Sequence, residues 1–270
     1  MPETGETLII EQTKGSDLPG HRLWLLDDKG EKTEVELPSE LRKPAMMLDD
    51  DLVEYDWFGR YYPWPSHGMF LIYTSKGLYG LRGGKIWLIN SASKLTHHHS
   101  YSVAADFHDL GADQEALIFG SPLGPTPYEV INEQRGVVKS AQLPFMKNGK
   151  PAEPHPDGKS VIVFGDGLAY RVSPDAPAVN IMASTQQASG AFAGVTVPWW
   201  SATLLSTASG VRLLTSSGAI LRIRGMERLD AKTAYFTFSE TTRRVFYWSG
   251  PGRKPFGEIA PITTDATCAN

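Results

Sequence analysis

Histidines and carboxylates are the residues of this chain that could hold a metal, and His97, His98, His99, His108 and Asp109 fall close together. On a strand, adjacent side chains face opposite ways, so His97 and His99 could share one ion while His98 turns aside. The run otherwise reads as a polar loop whose imidazoles meet water. A second group, Asp49, Asp50, Asp51, Glu54 and Asp56, offers the oxygen ligands that calcium takes. It lacks the glycine and spacing of an EF-hand loop and reads as a solvated acidic loop suited to a basic partner.

Nucleophilic chemistry needs a serine or cysteine, a base and a third group that orients the base. Ser66-His67, and Ser100 beside His99, are neighbours without that third group, and Cys268 has no nearby histidine. The glycine-rich run Gly80-Leu81-Arg82-Gly83-Gly84 lies between apolar strands and lacks the lysine-Ser/Thr ending of a phosphate loop, so it reads as a turn.

Recognition is the better-supplied chemistry. Tyr55, Trp57, Tyr62 and Trp64 form an aromatic block, and Phe192, Trp199 and Trp200 form a second. Aromatics bury much area at small entropic cost and are enriched where proteins meet partners, although cores consume them too. Tyr55, Trp57, Tyr62, Trp64, Trp199 and Trp200, with Asp50 and Asp51, are the expected partner-binding set.

The elements that position these residues are strands. A chain of 270 residues with 41% hydrophobic and 21% charged residues, 26 Gly and 19 Pro is folded and turn-rich, and it reads as a single domain over residues 1–270. Its net charge of -4 supplies no basic footprint for nucleic acid or anionic lipid. The lone cysteine excludes an internal disulfide and a thiolate metal site, in keeping with a reducing compartment. The acidic start has no secretory pattern, and no stretch approaches the ~20 apolar residues of a membrane span, so the cytoplasm is the expected location.

Apolar runs separated by turn residues recur along the chain: residues 7–11 (TLIIE), read as an isolated strand, 22–26 (RLWLL), 33–37 (TEVEL), 69–74 (MFLIYT), 78–81, 85–89 (KIWLI), 116–120 (ALIFG), 128–131 and 136–143. They continue at 160–172, 202–206 (ATLLS), 211–215 (VRLLT), 219–224, 234–238 (AYFTF) and 244–248 (RVFYW). No helical segments alternate with them, which argues against a parallel α/β sheet. The first strong strand of each group ends at Leu26, Thr74, Gly120, Gly165, Ser206 and Phe238, at spacings of 48, 46, 45, 41 and 32 residues. A four-stranded propeller blade takes about 40–50 residues. An all-β propeller is therefore expected, with six blades fitting best, five or seven and a β-sandwich pair as the alternatives, and the short sixth blade completed by the N-terminal strand 7–11, which would cover an open edge.

The segment Pro156-Asp157-Gly158-Lys159, followed by an apolar strand and the reversal Gly165-Asp166-Gly167, resembles the PDGK-strand turn of TolB-type and WD-repeat-like β-propellers. The resemblance covers about 18 residues and implies the architecture; propellers host many activities, so it implies no single one. The expected function is non-enzymatic binding of a protein partner through rim loops, in the manner of an inhibitor or bacterial immunity protein, with no cofactor. The alternative is a metal-dependent hydrolase or lyase with a site in the central channel, drawing on His67, His108 and His155 with Asp106 and Asp166.

Overall fold

The computed structural model describes residues 6–13, 20–42, 60–74, 77–90, 106–111, 115–120, 125–145, 152–182, 191–223, 226, 235–248 and 256–259. Among them the fold is all-β, with one α-helical turn, α1 (Ser39–Arg42). The chain divides into two compact units, Met1–Met146 and Lys147–Asn270.

The first unit holds three antiparallel sheets. Sheet 1 is β1 (Thr7–Thr13), β2 (Gly20–Leu26) and β3 (Lys32–Glu34). Sheet 2 is β4 (Arg60–Trp64), β5 (Met69–Thr74), β6 (Gly77–Arg82) and β7 (Lys85–Asn90). Sheet 3 is β8 (Asp106–His108), β9 (Ala116–Phe119), β10 (Pro127–Asn132) and β11 (Gly136–Gln142). The second unit repeats the plan. Sheet 4 is β12 (Glu153–Pro154), β13 (Val161–Gly165), β14 (Leu168–Val172) and β15 (Val179–Asn180). Sheet 5 is β16 (Ala191–Val197), β17 (Ala202–Thr207), β18 (Gly210–Thr215) and β19 (Ile220–Arg222). Sheet 6 is β20 (Tyr235–Ser239), β21 (Arg244–Trp248) and β22 (Phe256–Ile259). Every sheet is a meander in which neighbours in sequence pair in space.

The second strands of sheets 2 and 5 are apolar on both faces because each face has its own sheet to pack on. In β5, Phe70 and Ile72 face the cluster with Leu23, Leu25 and Val35 of sheet 1 and its following segment. Met69, Leu71 and Tyr73, which alternate with them, join Ala116, Ile118 and Ile131 of sheet 3. In β17 the same division sends Leu205 to Ile162 and Phe164 of sheet 4, and Leu204 to Val245 and Ile259 of sheet 6. Period-two alternation thus becomes a continuous apolar run.

Two expectations are corrected. The N-terminal strand is not isolated: β1 pairs with β2 along its whole length as the first strand of sheet 1, and within the second unit β22 is the third strand of sheet 6. The short final spacing also has a structural cause. Leu26, Thr74, Gly165 and Ser206 lie at or near the ends of second strands, whereas Phe238 lies in the first strand of its sheet. The equivalent residue is Trp248, 42 residues after Ser206.

Candidate functional site

One hairpin form joins first to second strands in three of the six sheets. Trp64 pairs with Met69, Val197 with Ala202 and Ser239 with Arg244, leaving four-residue loops. Each loop ends in the left-handed region, at Gly68 (φ 57), Ser201 (φ 47) and Arg243 (φ 50). In the first two a proline opens a 3-10 turn, Pro65–His67 and Pro198–Trp200, and the amide of the last loop residue bonds back to the proline carbonyl at 3.0 Å. Such a turn fixes two consecutive side chains at the sheet's end: Ser66 and His67 in sheet 2, Trp199 and Trp200 in sheet 5.

Around Ser66 and His67 the loops of sheet 3 close a polar network. Asp109, in the loop after β8, accepts the Ser66 amide at 2.8 Å, the Ser66 hydroxyl at 2.5 Å and the Gly111 amide at 2.8 Å. His67 Nδ1 lies 2.9 Å from Ser66 Oγ, and the ring is 4.1 Å, centroid to centroid, from the buried Trp64 ring. Arg82, at the end of β6, donates to the His67 carbonyl at 2.6 Å and to Glu133 Oε1 at 2.8 Å. Glu133, between β10 and β11, brings its other oxygen to 3.9 Å from His67 Nε2.

The 2.5 Å contact between Ser66 Oγ and Asp109 Oδ1 must contain a hydrogen, and a carboxylate has none to give. The serine therefore donates to Asp109, and His67 donates from Nδ1 to the serine oxygen. That order is the reverse of a serine hydrolase, in which histidine receives the serine proton and a carboxylate orients the histidine. Asp109 also occupies the Ser66 and Gly111 amides, donors that could otherwise meet an oxyanion.

In the second unit the loop 155–160 is tied just as closely. Asp157 accepts the Lys159 amide and the buried Ser160 hydroxyl at 2.9 Å, and Arg171 Nη2 reaches it at 2.6 Å. Arg171 Nε donates to Ser160 Oγ at 2.9 Å. Burial pulls the His155 imidazole below its ordinary value, against the opposing pull of Asp157. Burial would raise the Asp157 carboxyl, but the Lys159 amide, the Ser160 hydroxyl and the charges of His155 and Arg171 outweigh it and hold the group below the usual aspartate value. The His155 Nδ1 stands 3.1 Å from both the Asp157 amide and Oδ1, and one hydrogen decides which it serves. With the ring neutral, we take the amide as the donor, because backbone N–H always carries its hydrogen. Thr196 donates to the Pro154 carbonyl and Trp199 meets Phe238 edge-on at 5.3 Å, so loops 155–160, 198–201 and 240–243 share one end of this unit.

The expected residues sort unevenly. Trp64 is corrected: it is 0% exposed, inside the core between sheets 2 and 3, where a binding aromatic cannot be reached. Tyr62 is half-buried and stacked on Phe107 at 5.5 Å. Trp199 and Trp200 are partly buried against the core of sheets 5 and 6, beside exposed Pro198. Tyr55, Trp57, Asp50, Asp51, His97, His98, His99, Ser100 and Cys268 lie outside the described residues. His108 meets Phe119 edge-on at 6.0 Å, while His155 is buried in its own turn. Among the described residues no three His, Cys, Asp or Glu side chains gather as a metal group.

Sequence reading missed the partners of Ser66 and His67, namely Asp109, Glu133 and Arg82. A signal was available in the repeat length. Ser66 and Asp109 are 43 residues apart, as are Glu153 and Thr196, which bond between sheets 4 and 5. Each pair is one repeat apart, so looking one repeat ahead of a turn residue finds its partner.

No family model matches the sequence, and no curated protein matches it. Among solved structures, similar ones include a catalytically inactive virginiamycin B lyase from Staphylococcus aureus with quinupristin, at 11% identity and TM-score 0.44 over 96% of this chain and 90% of that one. The WD40 domain of SCAP from fission yeast is similar at 12% identity and TM-score 0.45 over 89% of this chain and 64% of that one. Dihydro-heme d1 dehydrogenase NirN is similar at 12% identity and TM-score 0.48, over 95% of this chain and 54% of that one.

Proposed function

We propose that the six sheets are the blades of one propeller spanning the chain, and that it works by binding another protein through the loops joining first and second strands. The observation that carries this reading is the pair Trp199 and Trp200, partly exposed at the tip of a turn whose form is shared with sheets 2 and 6 while also packing on the core of sheets 5 and 6. A rigid loop that offers large aromatic area loses little entropy on docking. The proton order at Ser66 supports binding over acyl transfer, since the serine hydrogen is already committed to Asp109.

An acidic chain, with net charge -4, suits a basic partner, and blocking such a partner's active site, as an inhibitor or immunity protein does, is the form of the reading we favour. The cytoplasm is the compartment that goes with it. The test is crosslinking and affinity capture with the wild-type chain and a Trp199→Ala/Trp200→Ala variant of matched folding. A stoichiometric partner held by the wild type and lost from the variant supports the reading. Capture that is unchanged in the variant, or a wild type with no stoichiometric partner, overturns it.

A further inference from the structure

The wiring that disarms Ser66 has a second effect, on His67. With Nδ1 committed to Ser66 Oγ, and Ser66 in turn to Asp109, the imidazole presents Nε2 as its free face, toward Glu133 Oε2 at 3.9 Å. A histidine whose other nitrogen donates into a carboxylate-anchored hydrogen-bond chain has the tautomer and ring orientation of a metal ligand. Glu133 is oriented too, because Arg82 takes only Oε1 and also holds the His67 carbonyl. We propose that His67 Nε2 and Glu133 Oε2 form a two-residue site for a divalent transition metal, clasping the loops of sheets 2 and 3.

The distances suit that ligand class. Zinc lies about 2.0–2.1 Å from imidazole nitrogen and about 2.0–2.2 Å from carboxylate oxygen. A tetrahedral angle between them would put the two ligand atoms about 3.4 Å apart, by those bond lengths, so closure needs a side-chain shift of about half an ångström. The two side chains are 11% and 25% exposed, which leaves the remaining coordination positions to water or to a partner's side chain. One nitrogen and one oxygen favour zinc, copper, nickel or cobalt over calcium and magnesium, which prefer all-oxygen shells. The Arg82 charge beside the ion keeps the site weak and exchangeable.

The test uses the full chain carrying His97→Ala, His98→Ala and His99→Ala, which removes the histidine run as a competing site, titrated calorimetrically with zinc chloride and followed with cobalt by its visible absorption. One saturable equivalent is expected, lost in His67→Ala and weakened in Glu133→Gln. Ser66→Ala keeps both ligands but removes the acceptor for Nδ1, and affinity falls by about 10–100-fold, as loss of an outer hydrogen-bond partner does. The proposal is overturned if the parent chain shows no saturable equivalent, or if both ligand variants bind as the parent does. A Ser66→Ala titration indistinguishable from the parent overturns the orienting role assigned to the Ser66–Asp109 chain.

Discussion

Replacing Asp157 with alanine should be among the most damaging changes to a loop residue in the second unit. The carboxylate, 15% exposed, accepts the Lys159 amide, the Ser160 hydroxyl and Arg171 Nη2. The Arg171 side chain is 45% exposed, so that ion pair contributes at most about 1 kcal/mol. The Ser160 hydroxyl is buried and loses its acceptor, which costs about 1–3 kcal/mol, while the Lys159 amide can turn to water. The sum is about 1–4 kcal/mol, which for a protein of this size is a fall in Tm of roughly 2–8 °C. Lys159→Ala is the control: its side chain is exposed and its amide survives, so the change stays within about 0.5 kcal/mol.

The Asp157 prediction also has a pH signature. The carboxyl titrates below the usual aspartate value in the folded state, so the unfolded chain takes up the proton first. Its contribution is complete above that value and disappears as pH falls through the folded one. Calorimetric melts of wild type, Asp157→Ala and Lys159→Ala at pH 7 and on the acid limb measure both effects. An Asp157→Ala protein that melts with Lys159→Ala at pH 7 would refute the view that this carboxylate holds the turn.

Other perturbations have equally definite outcomes. A Cβ on Gly257 would sit 2.6 Å from the Tyr247 ring carbons of the neighbouring strand, so Gly257→Ala should cost about 1–3 kcal/mol by denaturant unfolding. Trp64→Ala should cost about 3–5 kcal/mol, as emptying a core aromatic site does, whereas Trp200→Ala, only partly buried at the loop tip, should cost less in the same assay. Because burial lowers the His155 value below 6.5, the unfolded state binds a proton that the folded state refuses. Stability should therefore decline as pH drops below about 6.5, and His155→Asn should flatten that decline in pH-dependent melts. Ser201→Gly should raise Tm slightly, since serine at φ 47 carries the strain that Gly68 avoids in the matching loop.

The parts of the fold legible in the sequence were those with apolar neighbours on both faces. MFLIYT, ALIF, VIVFG and ATLLST stand out because every position is buried. The first strands of sheets 2 to 5 did not stand out: RYYPW contains a proline, DFH and EP are too short for a period, and AFAGVTV carries a glycine whose Cβ would meet the Phe164 ring at 2.9 Å. Those are the strands that deliver Trp64, Asp109 and the Trp199 turn, so the site was harder to read than the fold. Ser66-His67 was visible as a pair, but its third group lay one repeat away, and no local window contains both.

The shared loop separates what the fold requires from what it leaves open. The four-residue span and the left-handed last position recur in sheets 2, 5 and 6, even at Ser201 and Arg243, where a non-glycine residue bears the strain. The tips do not recur: Ser66-His67, Trp199-Trp200 and Thr241-Thr242 share no chemistry. Backbone closure is thus common to the repeats, while side-chain identity varies freely at the two positions that the turn holds most rigidly. A fold that fixes a loop's geometry and leaves its tip unconstrained offers separate sites on equivalent supports. In this chain, that lets sheet 2 orient an imidazole through Ser66 and Asp109 while sheet 5 presents two indoles. Exchanging the tips, Ser66-His67 for Trp199-Trp200, should therefore leave the imidazole chemistry behind, because Asp109, Glu133 and Arg82 stay with sheets 2 and 3, and zinc binding that followed the transplanted pair to sheet 5 would refute this dependence on the partners.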